Sequence, residues 1–254
     1  LIVSGFSPVK DITIAVTPEL KNKVDSSLLF IDLAKGKQRM GGSILAQINN
    51  EVGGESPDVE CVKEMPSFVH SIHTLLSLKK ILAYHDRSDG GLITTLSEMS
   101  FAGRLGLNIN LNSLITDESE MVDFLFNEEL GVVIQVLSKD LDFVYETLNS
   151  TDLKGHIYNI GPITEKKQIN INLHDQKLLS FPMQDLLENW HKVGFEIQSL
   201  RDNPATAEAE YKNDTDLQNS GLRPNINFSI PKKIDIKKSN PRVAILREHN
   251  TDSL

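Results

Sequence analysis

Between residues 68 and 173 the apolar side chains switch repeatedly between two spacings. That switching constrains the fold more than any other feature of the chain. Phe68, Ile72, Leu75, Leu76, Leu78, Ile81 and Leu82 recur mostly three and four apart, the spacing of one helix face. Ala83-Tyr84-His85 then reads as a short strand, and the next helix buries Leu92, Leu96 and Met99. Strand 107–111, helix 118–126, strand 132–136 and helix 140–148 continue the pattern, and strands 156–160 and 169–173 form a β-rich end. Elements alternating in this way predict an α/β (or α+β) fold, a sheet layered with helices.

The flanking segments are read on the same basis. Residues 1–16 are rich in Val and Ile and broken by Pro8, which predicts strand, turn, strand. Thr17-Pro18-Glu19-Leu20 reads as a helix start, with Thr17 as N-cap and Pro18 at the first helical position. Leu28-Leu29-Phe30-Ile31-Asp32-Leu33 is a buried-strand run ending in Lys35-Gly36-Lys37. Gly41-Gly42-Ser43 opens a helix carrying Ile44, Leu45, Ile48 and Val52 on one face. Residues 183–200 form an amphipathic helix through Leu186, Leu187, Trp190, Val193, Ile197 and Leu200. Residues 203–223 are polar and read as a linker. Residues 231–239 are basic, and Pro241-Arg242-Val243-Ala244-Ile245-Leu246-Arg247 reads as a new strand.

Composition narrows the function. Lys and Arg number 26 against 35 Asp and Glu, a net charge of −9, so non-specific nucleic-acid binding, which depends on cations meeting phosphates, is not expected. No apolar run approaches the roughly 20 residues of a bilayer span. The most apolar stretch, 130–137, is strand-length and contains Gln135. No membrane partner and no signal peptide are expected. The single Cys61 cannot form an internal disulfide or a Cys-rich zinc site, which fits a reducing, cytoplasmic location. The first residue is Leu, so the chain is expected to be a piece of something longer.

The sharpest chemical feature is His85-Asp86-Arg87-Ser88-Asp89-Gly90-Gly91-Leu92, where a strand passes into a helix. Helix N-termini carry free N–H groups and partial positive charge, which suits an anion. Gly90 and Gly91 allow close backbone approach, and Asp86 could ligate Mg²⁺ bridging to phosphates. Plain helix capping by Ser88 or Asp89 explains the same residues, and by spacing alone it is the commoner outcome. Gly41-Gly42-Ser43 is a second anion candidate without the spacing of a known phosphate loop. Asn127-Glu128-Glu129 could serve substrate or metal, or be a solvated turn. His70 and His73 read as rim residues, and no Ser-His-Asp set can be assigned.

These motifs carry a resemblance. Tyr84 to Leu92, with Glu98-Met99 and Phe101-Ala102-Gly103, resembles the large-type phosphoribosylformylglycinamidine synthases. Further blocks follow in the same order. They are Leu1-Ile2-Val3-Ser4 with Pro8-Val9; Thr17-Pro18-Glu19-Leu20; Ile31-Asp32-Leu33 with Lys35-Gly36-Lys37; and Gly41-Gly42-Ser43 with Leu45-Ala46-Gln47. Then come Phe126-Asn127-Glu128-Glu129-Leu130-Gly131, Leu200-Arg201-Asp202-Asn203-Pro204 and Val243-Ala244-Ile245-Leu246-Arg247-Glu248, so the match runs along almost the whole chain.

The resemblance implies an enzyme that uses ATP, glutamine and water to convert formylglycinamide ribonucleotide to its amidine in purine biosynthesis. It implies a sheet like the C-terminal domain of aminoimidazole ribonucleotide synthetase. Residues 1–20 would end a second A-type synthetase domain, 21–180 would form the second B-type domain, 181–240 a helix and polar linker, and 241–254 the first strand of a truncated glutaminase domain. The partners would be the missing A-type and glutaminase domains. Asp86 would ligate Mg²⁺ and Ser88 would contact an auxiliary nucleotide (ATP or ADP), with Gly90 and Gly91 beside it. Asn127 and Glu128 fall where the duplicated half binds substrate, a role that looks degenerate in this half. The family's glutaminase strand ends Arg-Glu-Gln-Gly, whereas this chain has Arg247-Glu248-His249-Asn250. The family's nucleophilic cysteine, its histidine and glutamate, and the catalytic ATP loop fall outside these residues, and Cys61 matches none of them, so no activity is expected of this polypeptide alone. Other readings are a selenophosphate synthetase or thiamine-monophosphate kinase relative, and a nucleotide-binding module without chemistry. A B-type domain without its A-type partner is expected to expose an apolar face.

Overall fold

The structure is a computed structural model that describes residues 4–9, 11–23, 25–60, 62–149, 153–174, 176–219, 221, 222, 225 and 227–229. Two compact units divide the chain, Leu1–Leu217 and Gln218–Leu254. The first holds every described helix and strand; the expected strand at 241–247, the basic stretch 231–239 and Cys61 lie outside the described residues.

The first unit is built on one seven-stranded sheet. Its strands are β1 (Ser26–Asp32), β2 (Ala83–Asp86), β3 (Gly106–Asn110), β4 (Gly131–Leu137), β5 (Ile157–Thr164), β6 (Gln168–Leu173) and β7 (Gln176–Pro182), in the order β2-β4-β1-β5-β3-β6-β7. All neighbours pair antiparallel except β3 and β6. The helices are α1 (Ile44–Ile48), α2 (Met65–Ser77), α3 (Gly91–Gly103), α4 (Met121–Phe126), α5 (Leu141–Asn149), α6 (Met183–Arg201) and α7 (Pro204–Thr215).

Strand pleat decides which core each residue joins. In β1, Leu28 and Phe30 face α3 and α4, while Leu29 and Ile31 face α2 and α5. A strand covered on both faces has no use for alternation, so its apolar run is continuous. On β3 and β6 one face is core (Leu107, Ile109, Ile169, Ile171) and the other carries Asn108, Asn110, Asn170 and Asn172. Gln135 sits in the apolar run of β4 without exposure, because its amide takes Lys21 N and donates to Lys21 O, each at 2.8 Å. A buried amide is stable there only because it is paired.

The α/β layering expected from the sequence is therefore present, with several corrections. The strand–turn–strand expected within 1–16 and the helix expected after Thr17 are absent among the described residues. One 3-10 turn, Ile12–Ile14, capped by Asp11, stands in an otherwise extended segment. That segment makes one backbone bond to the edge strand β2, from Tyr84 N to Thr17 O at 3.1 Å, too little to build a ladder. Helix α1 stops at Ile48: Asn49 caps it, Asn50 takes φ 57°, and Ile44, Ile48 and Val52 are exposed. The polar stretch after 203 is not simply a linker. Asn203 accepts from Ala205 N and Thr206 N and Pro204 opens α7, an N-cap and first-turn proline pair. Strand β7 lies outside the expected elements; it is an edge strand with little burial. Helix α6 buries Met183 and Leu187 but leaves Trp190, Val193, Ile197 and Leu200 exposed as an apolar stripe.

A capping box before α4 makes one solution property predictable. Hydrogen bonds from Thr116 and from Asp117 N hold the Glu120 carboxyl below its usual range, and bonds from Ser119 do the same for Asp117. A lowered carboxylate pKa adds stability that is present above the unfolded value and lost as pH falls through the folded one. Thermal midpoints should therefore fall from about pH 5 to about pH 3, and Glu120→Gln should flatten that slope. Identical slopes in both proteins would contradict this.

Candidate functional site

The loop after β2 leaves the sheet at the end where β1 finishes and β4 begins. Arg87 turns inward there and is 4% exposed. Its Nε donates to Glu129 O at 2.6 Å, and its Nη2 donates to Leu130 O at 3.0 Å and to Asp32 Oδ1 at 3.1 Å. The guanidinium also lies 5.0 Å from the Phe30 ring centroid. Burial pulls its pKa down while Asp32 and Glu129 push it back up. Asp32 in turn accepts from Ala34 N and Gly36 N, so one buried pair fixes the ends of β1, β2 and β4 together.

With Arg87 anchored, its neighbours face outward. Asp86, Ser88 and Asp89 are exposed. The Asp86 carbonyl accepts from Thr95 Oγ1 at 3.0 Å, which ties the strand end to α3. Burial, and then the Asp86 carboxylate, raise the pKa of the Tyr84 phenol. Gly90 and Gly91 take φ 80° and 74°, which L side chains rarely adopt. Their amides are engaged within the protein: Gly90 N donates to Glu128 Oε1 at 2.8 Å and Gly91 N to Ser88 O at 2.9 Å. The glycines thus act here through backbone shape rather than as free anion donors.

The Asn127-Glu128-Glu129 turn is structural in this arrangement. Asn127 has no exposure, and its Nδ2 donates to Asp123 O at 2.6 Å and Phe124 O at 3.0 Å, closing the end of α4. Glu129, also fully buried, accepts from Arg39 Nε at 2.5 Å and Nη2 at 2.8 Å. The sequence offered no sign of Arg39 or Arg87 in these roles, because each pair joins residues distant in the chain. Glu128 is half-buried and takes Ile44 N at 2.8 Å as well as Gly90 N. The second anion candidate, Gly41-Gly42-Ser43, is filled from within, since Ser43 Oγ accepts Ala46 N and Glu128 accepts Ile44 N.

Two cavities adjoin the loop's surroundings. One of about 890 Å³ is lined by Arg39, Leu45, Val52, Glu55 and Asp123, among others. Another of about 360 Å³ is lined by His85, Glu98, Phe101 and Trp190, among others. In the second, His85 Nε2 meets Glu98 Oε2 at 2.7 Å, and the Trp190 indole donates to Glu98 Oε1 at 3.3 Å. Among the described residues no group of three or more His, Cys, Asp or Glu could hold a metal ion. Asp86 fits Mg²⁺ only as one carboxylate among phosphate and water oxygens, a coordination that Mg²⁺ commonly accepts. No helix among the described residues is long and apolar enough to cross a membrane.

Comparison with known proteins places this geometry in a family. Over 260 residues, 99% of this chain, it is 39% identical to the phosphoribosylformylglycinamidine synthase of Schizosaccharomyces pombe, and it spans 19% of that relative's length. The fold is similar to Thermotoga maritima PurL complexed with FGAR, with a TM-score of 0.52, 12% identity, and coverage of 69% of this chain and 30% of that one. The same protein complexed with AMPPCP matches with a TM-score of 0.50, 12% identity, and coverage of 68% and 27%. At such identity the likeness is one of fold. The family described as AIR synthase related protein, C-terminal domain, matches residues 33–174, more than half of the chain and five of the seven strands of its sheet, and the chain belongs to that family.

Proposed function

We propose that the chain is part of a phosphoribosylformylglycinamidine synthase and that its Asp86–Gly91 loop supports an auxiliary Mg-nucleotide. The 39% identity sustained over 99% of the chain carries this reading. It extends past the family domain into α6 and α7, which disfavours smaller superfamily members and a free-standing module. The whole enzyme would join the nitrogen of glutamine to formylglycinamide ribonucleotide, with ATP and water consumed and ADP, phosphate and glutamate released. Residues 1–20 would belong to an A-type domain, 21–180 to the B-type domain, 181–240 to the connection and 241–254 to the glutaminase.

In this reading Asp86 would present its carboxylate to Mg²⁺, and Ser88 would contact the nucleotide. A bound Mg-polyphosphate supplies charge and rigidity at the domain boundary. Arg87 holds the loop from beneath, and Gly90 and Gly91 shape the bend. Asn127 and Glu128 support the loop rather than touch substrate. The location would be the cytoplasm.

Calorimetric titration with Mg·ADP tests the assignment. Asp86→Ala should weaken binding by about tenfold or more, as expected on removing a charged metal ligand. The same preparation should form no amidine from formylglycinamide ribonucleotide, ATP and glutamine. Equal affinity in both proteins would remove Asp86 from the site. Amidine formation by the chain alone would overturn the supporting role.

A further inference from the structure

Glu128 stands between two segments far apart in sequence. One carboxylate oxygen, Oε1, accepts from Gly90 N and from Ile44 N, each at 2.8 Å. Glu129 reaches the same two regions: its carboxylate takes Arg39, and its carbonyl takes Arg87 Nε. The Arg39 and Arg87 pairs sit within the protein, whereas Glu128 is half-buried and lies next to the exposed Ser88-Asp89 bend. The segment from Arg39 to Glu55 is itself closed, with Gly41 N bonded to Glu55 O and Gly42 N to Val52 O, each at 2.7 Å. It lines the cavity of about 890 Å³.

We propose that Glu128 is a positioning residue that couples the conformation of the 39–55 arm to that of the Asp86–Gly91 bend. One oxygen cannot follow the Ile44 amide without leaving the Gly90 amide, so a displacement of the arm that draws the carboxylate with it is felt at the bend. The carboxylate lies at the N-terminus of α3, where negative charge is favoured and the bonds are charge-assisted. Such coupling is reciprocal: whatever orders the bend orders the arm. Its functional consequence rests on the nucleotide role proposed above; the coupling itself does not.

Residue-resolved amide exchange on the full chain tests it, with the perturbation placed away from Glu128. A Cβ at position 41 would lie 2.5 Å from the Glu55 backbone, so Gly41→Ala displaces the arm. Exchange at Gly90 should quicken by about tenfold, the loss of one net hydrogen bond. In a Glu128→Ala background, the further effect of Gly41→Ala on Gly90 should be below about twofold. The proposal is overturned if Gly41→Ala leaves Gly90 unchanged, or if its effect persists in full without Glu128. Should Gly41→Ala fail to fold, Ser43→Ala runs the same cycle, since Ser43 Oγ caps α1 through Ala46 N at 3.2 Å. Glu128→Gln keeps an acceptor and should transmit more than Glu128→Ala; transmission no better than alanine's would refute an acceptor-based coupling. Mg·ADP should slow exchange at Ile44 in the wild type and not in Glu128→Ala. Absence of any Mg·ADP effect at Ser88 and Gly90 would overturn the nucleotide reading, and the substitution cycle would still decide the coupling.

Discussion

Arg87→Ala should lower the unfolding free energy by about 3–5 kcal/mol, the usual cost of leaving one member of a buried charge pair unpaired. The side chains of Arg87 and Asp32 are 1% and 6% exposed, so little water is available to take over. Removal would leave the Asp32 carboxylate with backbone donors but no cation, and would take the Arg87 bond from the Glu129 and Leu130 carbonyls, of which Leu130 O keeps Leu33 N. Arg87→Lys should recover little of the loss, because a lysine nitrogen cannot span three acceptors with the fixed fork of a guanidinium. Combining Arg87→Met with Asp32→Asn should recover much of it, since both charges then leave together. Urea unfolding read at constant slope measures all three. A loss below about 1 kcal/mol for Arg87→Ala would mean that the pair does not hold the sheet ends together.

That residue also shows where sequence reading stops. Leu28 to Ile31 announced a strand buried on both faces, because continuity of apolar residues is itself the signal. The helix at α3 was equally visible, since Leu92, Leu96 and Met99 recur on one face and are all fully buried. Arg87 was visible only as a member of a motif. Whether it or Asp86 faces inward depends on Asp32 and Glu129, which only the folded sheet brings near. Asn127 and Glu128 looked alike as polar turn residues, yet one closes a helix end and the other joins two loops. The failures near the chain's ends have a different cause. Val and Ile within 1–16 carry strand propensity, which is worth little without a partner edge. Asn203-Pro204 was a legible helix start that the surrounding polarity obscured.

Of the two loop glycines, Gly91→Ala should be the damaging change and Gly90→Ala clearly milder, although both positions have positive φ. A Cβ on Gly91 would lie 2.6 Å from Leu125 O and 2.7 Å from both Asn127 O and Phe126 C. All three are backbone atoms, and the Asn127 side chain pins the end of α4 that carries them. They cannot withdraw without breaking that cap. A Cβ on Gly90 would instead meet the Thr94 hydroxyl, the end of a side chain that can rotate once it gives up its bond to Gly90 O. Each substitution carries backbone strain of about 1–3 kcal/mol, and Gly91→Ala adds an overpacking cost of similar size, for a total of about 2–6 kcal/mol. In urea titrations Gly91→Ala should therefore fall below Gly90→Ala by at least about 1 kcal/mol. The functional consequence follows the same order. Relief of the Gly91 clash requires the 86–91 loop to swing away from α4, carrying Asp86 and Ser88 out of register, so Mg·ADP affinity should drop with stability in that variant and hold in Gly90→Ala. Equal stability and equal affinity in the two variants would show that the close packing of Gly91 under α4 does not set the shape of this loop.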